Sequence, residues 1–191
     1  MRRRDLLAAM SVAVTGGVAG CSGRAPAVDG GDGKHVGGDG AGGDTDATDD
    51  LPTDWPAGPY ADYDATTVTV RSPEGDERGA VRAAIADARD EQILGLSAAP
   101  SLPVNAGLLF VYPEPREALT FIMPEMEFGI DIVYVDADRT ITRIHHAPEP
   151  RPNEDGSEQR YSGAGQYVLE VPYEWTDRRG VEIGDSLVFD L

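Results

Sequence analysis

The sequence predicts an α+β domain built mainly from antiparallel strands, and three observations carry the prediction. Thr67-Val68-Thr69-Val70 alternates polar and apolar residues, the period of a half-buried strand. Ile130-Asp131-Ile132-Val133-Tyr134-Val135 and Thr140-Ile141-Thr142-Arg143-Ile144-His145 flank Asp136-Ala137-Asp138-Arg139, a turn-forming sequence that makes the pair a hairpin. Further strand segments follow at short spacing, so local pairing dominates, and antiparallel sheet is favoured over a parallel βαβ arrangement.

Taken in order, the chain opens on Arg2-Arg3-Arg4-Asp5-Leu6-Leu7 and runs uncharged to Val18-Ala19-Gly20-Cys21. A basic start, a short apolar stretch and small residues before a cleavage point are the parts of a signal peptide, here residues 1–20. Arg3 and Arg4 with Asp5-Leu6-Leu7 resemble the twin-arginine export motif, and Val18-Ala19-Gly20-Cys21 resembles a lipobox. The expectation is export, lipid on Cys21, and attachment to the outer face of the cytoplasmic membrane. Cys21 is the only cysteine, so it has no disulfide partner in the chain. The apolar run from Leu6 to Gly20 is shorter than the roughly 20 residues that span a bilayer.

Residues 21–50 read as the acylated Cys and a linker. Nine glycines and seven aspartates between 22 and 50, with Val28 and Val36 the only large apolar side chains, cannot bury enough surface to fold. A flexible chain of that length has a reach of about 30 Å. Residues 51–191 are expected to form a single β-rich domain. After the Thr67–Val70 strand, Ser72-Pro73-Glu74-Gly75-Asp76 is a turn. Arg78 to Leu96, rich in Ala and Arg, favours a helix by composition alone. Leu108 to Tyr112 is a compact apolar strand expected to end at Pro113, and Leu119 to Met123 a short one. Beyond the hairpin, the polar, proline-rich stretch from Pro148 to Ser162 is a loop, and Gln166 to Val171 is a strand. Pro172 to Gly180 has the early Pro and final Gly of a short helix, and Ser186 to Leu191 closes the chain as a strand.

Charge excludes one class of partner. Sixteen basic residues face 34 acidic ones, for a formal charge of −18. Without residues 1–20, thirteen face 33 and the charge is −20. Phosphate recognition needs clustered Lys and Arg, so nucleic acid is not an expected partner. Lys34 is the single lysine, and Arg-for-Lys usage with such an acid excess resembles the proteome of an extreme halophile, as in haloarchaea. Dense carboxylates stay hydrated in molar salt, whereas at low salt they repel and destabilise the fold.

Three blocks resemble the domain of unknown function 192 family. The first is Glu91-Gln92-Ile93-Leu94-Gly95-Leu96 with Ser101-Leu102-Pro103 and Ala106 to Tyr112. The second is Phe121-Ile122-Met123 followed by Ile130 to Asp136. The third is Gly165 to Val171 with Trp175, Gly180-Val181 and Gly184-Asp185. The resemblance covers about residues 66–191 and implies a small, barrel-like, mostly antiparallel sheet with one or two short helices. It also turns Val81 to Ala86 into a second strand leading to a helix near Asp87. It supplies no established reaction. Pro124-Glu125 stands where the family often has a basic or amide residue.

Asp131 is the foremost candidate side chain, because a carboxylate in an apolar strand needs a firm donor partner or a raised pKa. Its structural reading is a backbone-bonded acceptor that locks the sheet; its functional reading is a ligand contact or an acid–base group. Phe121, Met123 and Tyr167 join it as candidate ligand contacts, and the same aromatics also serve as core. His145 and His146 are adjacent on a strand and point to opposite faces, so they do not converge on one metal, and neither a metal nor a cofactor is expected. Ser162-Gly163-Ala164-Gly165 is a turn or bulge, since a phosphate cradle needs a helix behind its glycines. The expected function is a lipid-anchored binding or interaction module for a small molecule or an envelope protein. The alternative is a small-molecule hydrolase using Asp131 with His145 or His146.

Overall fold

The computed structural model describes residue 48 and residues 50–191. Arg3, Arg4, Cys21 and nearly all of the linker lie outside the described residues.

Strands β1 (Ala65–Arg71) and β2 (Glu77–Ala86) form the first hairpin. Composition favours a helix across Arg78–Leu96; the structure makes the first half strand, as the family resemblance implies, and only α1 (Arg89–Leu94) is helical. Ala80, Val81, Ala83, Ala84 and Ala86 are all buried. Small residues suit a strand covered on both faces, and that environment overrides intrinsic helix preference. Glu91 Oε2 accepts the N–H groups of Asp87 and Ala88 at 3.1 and 3.0 Å, which satisfies the open start of α1.

The crossover through α1 brings β3 (Ala106–Phe121) back parallel to β2, the one parallel pairing among the described strands. The strand expected to stop at Pro113 runs on through Pro115 and absorbs the segment expected from Leu119 to Met123 as far as Phe121. The register break between Val111 and Arg116 takes both prolines out of the ladder, where a missing N–H does no harm, and a second break follows between Arg116 and Leu119. β4 (Ile130–Val135) and β5 (Ile141–Ala147) make the expected hairpin, followed by β6 (Tyr161–Pro172), α2 (Trp175–Arg179) and β7 (Ser186–Val188). β7 is shorter than the expected Ser186–Leu191 strand.

The strand order is β5-β4-β6-β3-β2-β1-β7. The two edges approach at one end, where Thr140 bridges Ser186 and the Leu187 N–H donates to Arg139 O at 2.9 Å. The result is the α+β class predicted, a mostly antiparallel sheet curled into a half-barrel with two short helices. Alternation along each strand sends side chains into two cores. Val68, Leu109, Val133, Leu169, Trp175 and Leu187 fill the inside of the curl. Trp55, Tyr60, Leu108, Phe110, Ile132 and Val168 pack on the outer face beneath the 51–64 segment and α1. Trp55 pins that segment by donating Nε1–H to Gly107 O at 2.9 Å. Within Ser162–Gly165, β6 passes close to β4: a Cβ on Gly165 would lie 2.4 Å from Val135 O, and one on Gly163 2.6 Å from the Tyr134 ring.

Candidate functional site

The β4–β6 register decides which candidates share a face. Asp131 pairs with Val171 and Val135 with Tyr167, all toward the inside of the curl, whereas Ile132 pairs with Glu170 on the outer face. Phe121 and Met123 also belong to the outer face. The four candidate ligand contacts therefore do not form one site. Tyr167 is buried against Phe189, with ring centroids 5.2 Å apart.

Asp131 is fully buried and surrounded by donors. Oδ1 accepts the Glu174 N–H at 2.9 Å and lies 2.8 Å from His146 Nδ1. Oδ2 accepts the Thr176 N–H at 2.9 Å and the Thr176 hydroxyl at 2.6 Å. The carboxylate thus caps α2 from a different strand, occupying the place of an N-cap that Glu174, in the left-handed region at φ 57°, does not fill with its own side chain. This geometry is that of the backbone-bonded acceptor.

His146 follows Asp131 onto this face, and His145 takes the other, where its Nε2 lies 2.9 Å from Ser162 O and its ring meets Tyr134 and Tyr161. Asp and His do come within hydrogen-bond reach, as the hydrolase alternative requires. The second nitrogen, however, faces another carboxylate: Nε2 is 3.5 Å from Asp177 Oδ1. Burial pulls the imidazole pKa down, but Asp131, then Asp177 and Glu174, raise it above the ordinary value on balance. A carboxylate at each nitrogen favours the protonated imidazole, the reverse of what a general base needs. No group of His, Cys, Asp and Glu among the described residues is arranged to hold a metal.

The pH dependence follows from the sign of that shift. A raised folded-state pKa means that the His146 contribution is complete below about pH 6.5, the unfolded value, and fades as pH rises through the folded value. With 37% of the side chain exposed, solvent screening limits it to about 1 kcal/mol. His146→Gln is expected to melt below the parent at pH 5.5 and to converge on it as pH rises through the folded value, as followed by thermal denaturation.

The site that sequence reasoning missed lies on the outer face. A cleft of about 180 Å³ opens between α1, β3 and the start of β4, walled by Phe110, Tyr112, Phe121, Met123, Met126 and Glu170. Glu170 is 5% exposed, and its Oε2 has no hydrogen-bond partner among the described residues. Burial alone pushes its pKa up to about 8. Burial thus favours its neutral form, and its side chain lines the cleft. Tyr112 is likewise pushed up, first by burial and then by Glu170. Two of the polar groups nearby are committed elsewhere: Gln92 Nε2 donates to Val111 O at 3.0 Å, and Thr120 Oγ1 is 3.0 Å from Ser162 Oγ. Ile93 and Ile122 stand exposed at the rim, at 72% and 40%. A second, larger groove of about 750 Å³ runs past Arg116, Arg143 and Ser162–Gly165, but it is open and holds no buried unpartnered group.

Comparison with known proteins agrees with this architecture. The family model described as "Uncharacterized ACR", domain of unknown function 192, matches residues 70–189. The chain belongs to that family. The domain is similar to a protein of unknown function from Novosphingobium aromaticivorans DSM 12444, at 25% identity and a TM-score of 0.60, over 69% of this chain and 90% of that one. It also shares its fold with a protein from Sinorhizobium meliloti 1021 described as a candidate transcription regulator, at 24% identity and a TM-score of 0.60, over 66% of this chain and 95% of that one. No curated protein matches the chain. Both solved structures share the fold of this domain.

Proposed function

We propose that this domain of unknown function 192 protein is a small-molecule binding module, exported and held at the outer face of the cytoplasmic membrane by lipid on Cys21. The observation that carries the binding role is Glu170 Oε2, a buried oxygen without a partner among the described residues, in a cleft whose walls include Phe110, Phe121, Met123 and Met126. Burying an unpartnered polar group destabilises a fold by about 1–3 kcal/mol, and such groups gather where a ligand completes the bonding. Clefts in which apolar side chains surround a few polar groups are the usual form of a ligand site. Asp131 belongs to this reading as scaffold, and Phe121 and Met123 as cleft wall.

Arg3, Arg4 and the lipobox-like segment ending at Cys21 support the location, and a charge of −20 after residue 20 with a single lysine supports surroundings of high salt. Among the described residues no helix is long and apolar enough to cross a membrane, so attachment in this reading rests on the lipid. Two or three acyl chains hold firmly where one binds reversibly.

Native mass spectrometry of protein taken from the membrane in high salt, without refolding, tests both halves. The expected species begins at an acylated Cys21 and carries a small-molecule adduct that Glu170→Leu loses. An unmodified chain beginning at Met1 contradicts the anchor. An adduct held equally by Glu170→Leu contradicts the cleft.

A further inference from the structure

The cleft's lining restricts what it can hold. None of the residues lining it is Arg, Lys or His, so an anionic ligand would enter without a counter-charge beside a carboxyl group. The remaining choices are a neutral molecule, with Glu170 donating a hydrogen bond as an acid, and a cation, with Glu170 giving up its proton. The walls favour the second. Phe110 and Phe121 meet edge to face with centroids 4.8 Å apart. Tyr112 already carries a cation, the Arg116 guanidinium, 5.6 Å from its ring centroid. Ring faces attract organic cations, whose weak hydration makes them easier to desolvate than an alkali ion. The Met123 and Met126 thioethers add soft, polarisable surface.

Size fixes the scale. An apolar cavity of about 150 Å³ accommodates a ring the size of benzene, so a cleft of this volume takes roughly six to eight non-hydrogen atoms.

We infer, on the binding reading above, that the ligand is a small organic monocation, an ammonium compound whose charge pairs with the Glu170 carboxylate and whose methyl or methylene groups pack on Tyr112 and Phe121. Binding is then coupled to ionisation: the Glu170 O–H bond breaks, the carboxylate keeps the electron pair to face the ammonium group, and the proton leaves to buffer. The titratable groups around Glu170 are Tyr60, Tyr112 and Tyr134; burial raises all three, so they stay neutral and leave Glu170 as the group that releases the proton.

Titration calorimetry of the full chain in molar potassium chloride tests this with three probes of nearly equal shape: choline, its neutral isostere 3,3-dimethyl-1-butanol, and the anion 3,3-dimethylbutanoate. Choline carries a fixed charge and its ammonium group cannot exchange a proton, so any release detected by comparing two buffers at neutral pH comes from the protein. The expected result is choline binding at least about tenfold tighter than the alcohol, no measurable binding of the anion, and release of about one proton per choline. Glu170→Gln, checked for an intact melting transition, should lose the proton release and most of the choline preference while still taking up the alcohol. Equal binding of choline and alcohol without proton release overturns the cationic ligand and leaves a neutral-ligand module standing. Absence of binding by all three, with the heat of mixing unchanged in Glu170→Gln, overturns the ligand cleft itself.

Discussion

Asp131→Ala is expected to lose about 3–5 kcal/mol of stability, because it strands the Glu174 N–H, the buried Thr176 N–H and hydroxyl, and His146 Nδ1 together. Asp131→Asn keeps the shape but turns one carboxylate oxygen into a donor facing donors, and should lose about 1–3 kcal/mol. Met123→Ala, which opens space beside the cleft, belongs in the same series at about 2–5 kcal/mol. Thermal melts in molar salt rank the three. A melting temperature for Asp131→Asn equal to or above that of the parent would overturn the scaffold role, since it would mark the carboxylate as strained and kept for something else. The cap also predicts coupling: His146→Gln should cost little once Asp131 is gone, because the pair acts as one unit.

Much of this fold is written locally in the sequence. The β1 alternation, the β4–β5 hairpin around Asp136–Arg139 and the short helix before Gly180 depend on neighbours a few residues away, and each stands where expected. What local reading mistakes is set by distant contacts. β2 looks helical because its alanines are, and becomes strand only because β1 and β3 close over it. β3 continues past Pro113 and Pro115 because β6 shifts register to tolerate them.

The candidate site shows the same division. A charge inside an apolar strand singles out Asp131, and the identical signal stands in Tyr167-Val168-Leu169-Glu170-Val171. Sequence alone cannot distinguish the two, because the difference lies in what each carboxyl meets. Asp131 meets the start of α2, whose backbone supplies donors, whereas Glu170, one step out of phase on the neighbouring strand, meets rings and thioethers. Phe121 and Met123 reach the cleft from β3 and the loop after it, and Tyr167 turns inward with the odd-numbered residues of β6.

The contrast gives the second large effect and the most direct test of the ligand cleft. A carboxyl with a pKa near 4.5 in the unfolded chain and about 8 in the folded one is bound to a proton more tightly when folded. Stability must therefore fall as pH rises between those values, by a total on the order of 3–5 kcal/mol. Glu170→Gln has nothing to ionise and escapes that loss. The measurement is the melting temperature of Glu170→Gln against the parent from pH 5 to pH 9 in molar salt. The two should nearly coincide at pH 5, and the variant should melt several degrees higher by pH 8 and above. A variant that melts well below the parent at every pH would contradict the account, because it would show Glu170 satisfied by the fold and not waiting for a ligand.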